Sequence, residues 1–433
     1  MNHKSMLLKL FLCLTCLAAG CTGMKSEDKA TTLKVFYYDK ESFNDIYGKL
    51  FTSQNPHVEI EVVPLNDYYK KGFSEEGYRE LVKKEQPDLI FNFNLTSFVE
   101  DGMLVDLEPL LKKSKDVNLE RMNKNMTAYL RNKGGGRLFG LSPTFQSKAL
   151  FYNKTLFDQF GISYPTDHMS WEEVLQLAAR FAKSERNAGK MYGYYHNTRH
   201  PFWLAKDIAE TDGLSLTDAA GKKIMINTPS WKRIFDMVIT GTKEGGIYIN
   251  QPGDAQKGNL LLENPFTQGR AAMTVEYSYE LGYLSSASFE WGIVTEPVNP
   301  ATPNQSASLD PTELFGIYAG SKNIDSAWQL LEYINSEKLS KMNGRAGTHG
   351  SLPTYLDSMQ KKDSNMEAFY KLSPQDAYTP SVPQEFSTDF YEQVRQSMTG
   401  VIEGELELDN MLIEMNKIGQ FKLDQALKKT KPA

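Results

Sequence analysis

The first ninety residues alternate between short apolar runs and stretches with helical spacing. Apolar and aromatic residues dominate 33–38 and 87–91 and alternate with glutamates over 58–63, which predicts three strands. Apolar positions with helical spacing over 43–54 and 77–84 predict a helix in each interval. A β-α-β-α-β series with right-handed crossovers forms a parallel, doubly wound sheet. The pattern therefore predicts an α/β fold with a mostly parallel sheet flanked by helices.

Polar side chains follow two of these predicted strands. Tyr38 and Asp39 come directly after the first strand, and Asn92 and Asn94 come after the third. Ligands of doubly wound sheets bind at the carboxyl ends of the strands. We therefore expect these four side chains to face a ligand.

A second group of elements begins near residue 150. The run over 150–153 predicts a strand, and 154–160 predicts a helix that ends at Gly161. Ser170 followed by Glu173 has the spacing of a capping box and predicts the start of another helix. These signals extend the α/β pattern beyond the first sheet.

All three cysteines of the chain lie within its first 21 residues. A basic start and an apolar stretch over 10–19, too short for a permanent membrane span, predict a secretory signal over residues 1–20. This segment resembles a bacterial lipoprotein signal, whose cleavage leaves Cys21 as the acylated first residue of a tether over 21–32. An ordinary secretory signal cut near Gly20 is the alternative, and either places the protein outside the cytoplasm.

The composition after cleavage excludes several kinds of chemistry. With Cys21 as the one remaining cysteine, we expect no disulfide, thiolate nucleophile or cysteine metal site in the folded part. Loss of Lys4 and Lys9 without any acid moves the formal net charge from −6 to −8, which argues against nucleic acid as a partner. No later apolar run approaches the roughly 20 residues needed to cross a membrane.

A metal site and a cofactor are not expected either. His196 and His200 have the spacing of a helical zinc pair, but Arg199 and Pro201 lie beside them in a turn-like segment.

The 22 tyrosines, 23 phenylalanines and five tryptophans suit either a large core or stacking on a ligand. Composition alone leaves those two uses open.

Several short segments, taken in order, resemble family 1 extracellular solute-binding proteins, the sugar receptors of bacterial ABC importers. The segments are 87–91, 102–107, 142–144, 150–157, Gly161, Pro165, 171–173, 266–273, 291–293, 316–323, 327–335 and 350–354. Each is short, and their order and spacing over nearly the whole chain carry the resemblance.

The resemblance implies a two-lobe fold of the type II periplasmic-binding-protein kind, with discontinuous lobes joined by hinge strands. The predicted limits are 33–141 with 272–318 for lobe one, and 142–270 with 319–433 for lobe two. Strand patterns at 271–275 and 291–294 return after a helix-rich stretch. We interpret them as strands inserted back into the first sheet.

The resemblance also implies binding without catalysis. A carbohydrate, either a mono- or an oligosaccharide, is expected to bind between the lobes, which close on it and present it to the permease of an importer. The expected partners are that ligand, the permease subunits and the membrane through the lipid, and the protein is expected to be a monomer.

Candidate ligand-binding residues lie just after strands and at the lobe crossings. They are Tyr38, Asp39, Asn92, Asn94, Phe145, Gln146, Trp203, Glu276, Tyr277 and Glu313. Carboxylates and amides would share hydroxyl protons, while Tyr277 and Phe145 would stack on a sugar ring. Trp203 is included because it is expected in an aromatic loop rather than on an amphipathic helix.

Two other functions stay open at this point. The protein could serve as a ligand-sensing partner of a membrane signalling system. It could also be an extracellular carbohydrate-active enzyme on the same fold, since sequence alone does not exclude carboxylate chemistry. A thiamine-degrading transferase needs a cysteine nucleophile, which the folded part lacks.

Overall fold

The computed structural model describes residues 30–70, 72, 74–184, 191–250, 264–284, 287–346, 351–358, 366–375 and 382–429. The chain divides into two compact units. Unit 1 comprises Met1–Leu89 with Gly320–Ala327, and unit 2 comprises Ile90–Ala319 with Trp328–Ala433.

The strands of the described residues are β1 Thr31–Tyr37, β2 Val58–Pro64, β3 Leu89–Phe91, β4 Thr144–Gln146, β5 Lys148–Asn153, β6 Tyr192–His196, β7 Ile247–Ile249, β8 Ala271–Tyr277, β9 Trp291–Thr295, β10 Gln305–Ser306, β11 Asp310–Pro311, β12 Phe315–Ile317, β13 Leu352–Pro353 and β14 Ser373–Pro374.

The α-helices of the described residues are α1 Lys40–Phe43, α2 Lys49–Gln54, α3 Asn66–Lys70, α4 Glu75–Glu85, α5 Leu95–Glu100, α6 Glu108–Leu111, α7 Lys124–Lys133, α8 Lys154–Phe160, α9 Trp171–Ala182, α10 Pro201–Thr211, α11 Pro229–Lys243, α12 Glu280–Leu284, α13 Ile324–Ile334, α14 Glu337–Ala346, α15 Gln384–Glu403 and α16 Leu408–Lys429. A π-helical turn, Asn44–Gly48, joins α1 to α2.

Unit 1 contains the parallel sheet that the sequence predicts. β1 pairs in parallel with β2 along its whole length, and Val35 of β1 pairs in parallel with Leu89 of β3. Leu33, Val35 and Phe36 are fully buried, so this run contacts a core on both faces. The predicted β-α-β-α-β order is confirmed.

Unit 2 contains a five-stranded mixed sheet with the order β7-β6-β8-β5-β9. β6 is parallel to both β7 and β8, whereas β5 is antiparallel to both β8 and β9. The interpretation of 271–275 and 291–294 as strands of the first sheet is therefore wrong. Apolar alternation identifies a strand but carries no information about its neighbours.

A different segment returns to β3. β12 lies beside β3, the amide of Asn92 donates to the carbonyl of Leu314 at 2.8 Å, and Leu141 bridges to Phe315. β12 has only three residues, and all three are buried, so its sequence does not alternate between apolar and polar positions and the strand could not be recognised. The predicted lobe limits stay a prediction.

The core of unit 2 lies between the five-stranded sheet and the helices that cover it. α10, α11, α15 and α16 pack together on this core. Trp231, Phe235 and Phe390 are among its most buried side chains. Burial of such aromatic groups contributes about 1.5–3 kcal/mol each, which makes this helical layer a rigid wall.

Local signals in unit 2 behave as the sequence predicts. Gly161 ends α8 in the left-handed region with φ +67°, a conformation that favours glycine. Ser170 and Glu173 form a reciprocal capping box at the start of α9. These caps fix where each helix begins and ends.

Short ladders join the segments that surround the site described below. β4 pairs antiparallel with β11 and with β13, and β10 pairs in parallel with β14. Each ladder has only two paired positions per strand. Such short pairings fix the positions of individual residues but do not form an extended sheet. Among the described residues, no helix is long and apolar enough to cross a membrane.

Candidate functional site

Unit 2 contains a cavity of about 660 Å³, a volume typical of small-molecule sites. Its aromatic lining residues are Tyr129, Trp231, Tyr277, Phe386, Phe390 and Tyr391. Its uncharged polar side chains are those of Gln146, Ser215, Thr217, Ser308, Gln375 and Ser387. Its charged residues are Lys206, Glu210 and Asp310. The cavity thus combines ring faces with hydrogen-bonding groups.

Tyr277 is the last residue of β8 and is half-buried at the cavity. The Nζ atom of Lys148 lies 5.2 Å from the centre of its ring, within cation–π distance. Burial raises the pKa of the Tyr277 phenol. The phenol is therefore protonated at neutral pH and can donate a hydrogen bond.

A network of charged groups lies beside Tyr277. Lys148 Nζ donates to Asp207 Oδ2 at 3.0 Å, and His196 Nε2 lies 3.4 Å from the same oxygen. His196 Nδ1 lies 2.8 Å from Thr198 Oγ1, so both ring nitrogens have partners. The network links β5, β6 and α10, and it holds Lys148 against the Tyr277 ring.

The pKa values in this network reflect the pairing. Burial by itself raises the pKa of Asp207, but the hydrogen bond from His196 and the charge of Lys148 outweigh it and hold the pKa well below its usual range. Burial by itself lowers the pKa of Lys148, but the Asp207 charge outweighs it and the pKa is raised. Both groups are charged at neutral pH.

The β4–β11 ladder forms another edge of the cavity. Gln146 pairs with Asp310 across it, and both side chains line the cavity. Ser308, two residues before Asp310, accepts from the amide of Lys148 at 2.8 Å and donates to Glu296 Oε1 at 2.8 Å. Burial raises the pKa of Glu296. This edge is therefore anchored to a buried carboxyl group.

The opposite lining comes from α10 and the turn after it. Lys206 and Glu210 form an ion pair one helical turn apart. Gly213 then adopts φ +70°, and a Cβ at this position would lie 3.2 Å from Gln375 Nε2. The indole of Trp231 donates to the carbonyl of Ser215 at 3.2 Å, which fixes the segment beyond the turn.

Of the ten predicted ligand residues, Gln146 and Tyr277 line this cavity. Phe145 is fully buried, with its ring centre 5.0 Å from that of Tyr370. Glu276 is 7% exposed and accepts from the Tyr279 hydroxyl at 2.6 Å. Residues next to each other in a strand point to opposite faces, which explains why only one of each pair reaches the cavity.

Trp203 lies on α10, so the expectation that it occupies a loop is wrong. His200 caps this helix through Nδ1, which accepts from the Phe202 amide at 3.1 Å. Burial lowers the pKa of His200 to about 4, so the ring is neutral and free to accept. The Trp203 ring packs 5.7 Å from that of Tyr391, which itself lines the cavity.

The predicted polar residues after β3 and β11 have structural partners. Asn92 accepts from the Leu314 amide at 2.9 Å and donates to the Thr312 carbonyl at 3.2 Å. Asn94 caps α5 by accepting from the Ser97 amide at 3.2 Å. Glu313 accepts from Thr144 Oγ1 at 3.3 Å.

In unit 1, Tyr38 follows β1 and is 36% exposed, with its ring 6.2 Å from that of Tyr69. Asp39 caps α1, and its carboxylate accepts from the Ser42 amide at 2.8 Å and the Ser42 hydroxyl at 2.9 Å. These bonds hold the pKa of Asp39 below its usual value. Cys21 lies outside the described residues.

Sequence reasoning missed several cavity residues. Trp231 and Tyr391 are spaced as core residues of amphipathic helices, a pattern that gives no sign of a cavity. The sequence signal for Asp310 was weak. It is a polar residue followed by Pro311, and it lies three residues before the predicted Glu313. Among the described residues, no group of three or more acids, histidines or cysteines could hold a metal ion.

Solved sugar-binding proteins share this fold. The sugar-binding protein MalE from Xanthomonas citri superposes with a TM-score of 0.62 at 17% identity, covering 93% of this chain and 100% of that one. An ABC substrate-binding protein from Listeria monocytogenes in complex with cycloalternan gives a TM-score of 0.53 at 20% identity, covering 92% and 100%. The α/β fold predicted from the sequence is confirmed.

The family follows from a direct match. The model of the bacterial extracellular solute-binding protein family matches residues 47–370, which is most of the chain. This chain belongs to that family, as the resemblance in its sequence predicted. The family is extracellular, so the protein acts outside the cytoplasm.

Curated relatives are distant. Binding proteins of Brucella abortus and Brucella suis are 24% identical over 270 residues, and the alignment spans 57% of this chain and 59% of theirs. The galactooligosaccharide-binding protein of Bacillus subtilis is 22% identical over 327 residues, or 74% of this chain and 72% of that protein. The sn-glycerol-3-phosphate-binding periplasmic protein of Rhizobium meliloti is 22% identical over 310 residues, or 69% and 68%.

Proposed function

We propose that this protein is an extracytoplasmic receptor that binds a carbohydrate in the unit 2 cavity and delivers it to the permease of an ABC importer. The observation that carries the proposal is the lining of the cavity, where Tyr277, Tyr391 and Trp231 occur together with amide and hydroxyl side chains. No catalytic step is part of this function.

The lining suits a sugar for two physical reasons. A pyranose has an apolar face that packs against an aromatic ring, and Tyr277 is held in place for such a contact by Lys148. Its hydroxyl groups need fixed donors and acceptors, and the amide side chain of Gln146 offers both from a ladder that Ser308 anchors to Glu296. A wrong ligand that leaves such groups unpaired loses about 1–3 kcal/mol for each one.

The relatives support the same ligand class. The Bacillus subtilis relative is a galactooligosaccharide-binding protein, and the Listeria structure contains cycloalternan. Both ligands are oligosaccharides, whereas the Rhizobium relative binds sn-glycerol-3-phosphate. We place this chain with the saccharide receptors.

Delivery completes the proposed function. Ligand contacts that form only when the predicted lobes close would stabilise a closed form, and the permease would recognise that form. We further propose that Cys21 is acylated and tethers a monomeric receptor near its permease, at high effective concentration. Tyr38, Asp39, Asn92, Asn94, Phe145, Trp203, Glu276 and Glu313 stay predictions as ligand contacts.

A thermal-shift screen of the purified protein tests the ligand class. Neutral mono- and oligosaccharides, polyamines, peptides and phosphorylated polyols would each be added in large excess. A ligand at 100 times its dissociation constant adds about 2.7 kcal/mol of stability, so a true ligand raises Tm visibly. A rise with a peptide or polyamine and with no saccharide would contradict the proposal.

The anchor has its own test. Cys21→Ala should release the protein from membranes into the soluble fraction, and incorporation of radiolabelled palmitate should be lost. A variant that stays membrane-bound would show that Cys21 does not carry the anchor.

A further inference from the structure

Asp310 differs from every other charged residue that lines the unit 2 cavity. Lys206 and Glu210 neutralise each other in an ion pair on α10. The Asp310 side chain has no hydrogen bond or ion pair within the part of the chain that the structure describes, and burial alone raises its pKa to about 6. Asp310 is therefore an exposed acid at the cavity that has no partner among the described residues.

The surroundings of Asp310 explain what such an acid can bind. It pairs through the β4–β11 backbone with Gln146, and it follows Ser308 by two residues along the same edge. Its charge also acts on Tyr277, whose pKa it helps to raise. A carboxylate accepts hydrogen bonds and donates none, so it complements hydroxyl groups that a neighbouring amide can also contact.

The charges that line the cavity also favour an uncharged ligand. Among the described lining residues there are one cation and two acids, and the cation is already paired with one of the acids. An anionic ligand would face the charge of Asp310, and none of these lining residues offers it an unpaired cation. Like charges in a partly desolvated site repel by amounts that decide specificity.

We propose that Asp310 is a ligand-binding residue that accepts hydrogen bonds from hydroxyl groups of an uncharged saccharide and excludes anionic ligands such as phosphorylated polyols. This inference rests on the proposed receptor function and deepens it, because it separates the ligand from that of the glycerol-phosphate-binding relative.

The strand position of Asp310 does not require an acid. It lies at the start of a two-residue strand, where any residue with an extended backbone would pair equally well with Gln146. Among the described residues an acid there gains no partner, and Asp310 is exposed at the cavity, where a ligand can reach it. A hydroxyl-rich ligand supplies the missing donors.

The test uses calorimetric titration with galactotriose, maltotriose and sn-glycerol-3-phosphate as probes. Two variants separate the two parts of the proposal. Asp310→Ala removes the contact and should weaken binding of the saccharide by at least about tenfold. Asp310→Asn keeps the shape but removes the charge, and it should strengthen binding of sn-glycerol-3-phosphate by about fivefold.

Asp236→Asn is the matched control, because Asp236 is exposed on α11 and does not line the cavity. It should leave all three affinities unchanged. Thermal melts of each variant confirm folding, and loss of the unpaired charge should not lower Tm.

The outcomes separate this inference from the proposed function. If the unaltered protein binds a saccharide and Asp310→Ala binds it within twofold, the role of Asp310 is contradicted and the receptor function stands. Tighter binding of sn-glycerol-3-phosphate than of either saccharide would overturn the proposed exclusion. If the thermal-shift screen finds no saccharide that binds the unaltered protein, the proposed function fails, and the inference fails with it.

Discussion

Two aspartates of unit 2, Asp207 and Asp310, have opposite electrostatic environments. Asp207 accepts from Lys148 and lies beside His196, and its pKa is lowered. Asp310 has no such partner among the described residues, and its pKa is raised. Both carboxylates lie near Tyr277, and the charge of each raises the pKa of its phenol. The paired acid stabilises the wall of the cavity, and the unpaired acid is available to a ligand.

The two aspartates represent two kinds of residue, those that stabilise the fold and those that bind a ligand. Residues that carry the fold have satisfied partners, and removing them should cost stability. Residues that carry ligand binding have unused hydrogen-bonding capacity, and removing them should cost affinity while stability is unchanged or increased. Substitutions in the two groups should therefore have different effects on stability and on affinity.

Lys148→Met should give the largest loss. It would leave Asp207 charged and partly buried with His196 as its remaining partner, and breaking such a pair costs about 3 kcal/mol. The stabilising contribution of Asp207 is present above about pH 4 and is lost as pH falls through its lowered pKa. The variant should therefore lose stability most at neutral pH, as measured by urea unfolding at pH 7 and pH 3.

The matched control for this change is Lys183→Met. Lys183 pairs with Glu244 at 2.9 Å, but its side chain is 65% exposed. Surface pairs contribute less than about 1 kcal/mol. Equal losses in the two variants would contradict the special role of the Lys148 network.

Tyr277→Ala should weaken saccharide binding by about ten- to a hundredfold, because the ring provides a face for stacking and its phenol a donor. Tyr277→Phe keeps the ring and should recover most of that loss. Affinity is measured by calorimetry with galactotriose. If Tyr277→Ala binds as tightly as the unaltered protein, Tyr277 is not part of the binding surface.

Asp310→Asn should stabilise the free protein at pH 7.5 by about 1 kcal/mol, a value discounted for the exposure of the side chain to the cavity. The sign follows from the raised pKa. The folded state prefers the protonated acid, so stability falls as pH rises from about 4 to about 6, and the variant avoids that loss. No difference is expected at pH 4. A variant less stable at pH 7.5 would show that Asp310 has a structural partner.

Asn94→Ala should have the smallest effect, a loss of about 0.5–1 kcal/mol from the cap of α5. Asn94→Ser restores a capping oxygen and should recover most of it. Thermal unfolding measures both variants. An unchanged Tm in Asn94→Ala would contradict the capping role.

Sequence reasoning predicted the elements well where the signal is local. β1, β2 and α4 begin and end within two residues of the predicted limits, because apolar period and caps are properties of neighbouring residues. It assigned β8 to the wrong sheet, because pairing with β5 and β6 depends on residues far away in the chain.

The site was harder to predict for the same reason. Tyr277 was found because a strand ends there, whereas Asp310 depends on a two-residue pairing with distant Gln146. Asp39 and Asn94 show a second difficulty, since a polar residue after a strand can serve a helix cap instead of a ligand. Sequence does not show whether a polar side chain already has a partner.

A crystal structure of the complex with the saccharide that gives the largest thermal shift would show where the ligand binds. We expect electron density for the sugar in the unit 2 cavity, packed against the Tyr277 ring and within hydrogen-bond distance of Gln146 and Asp310. A saccharide bound elsewhere, or one that leaves the Tyr277 ring untouched, would contradict this expectation.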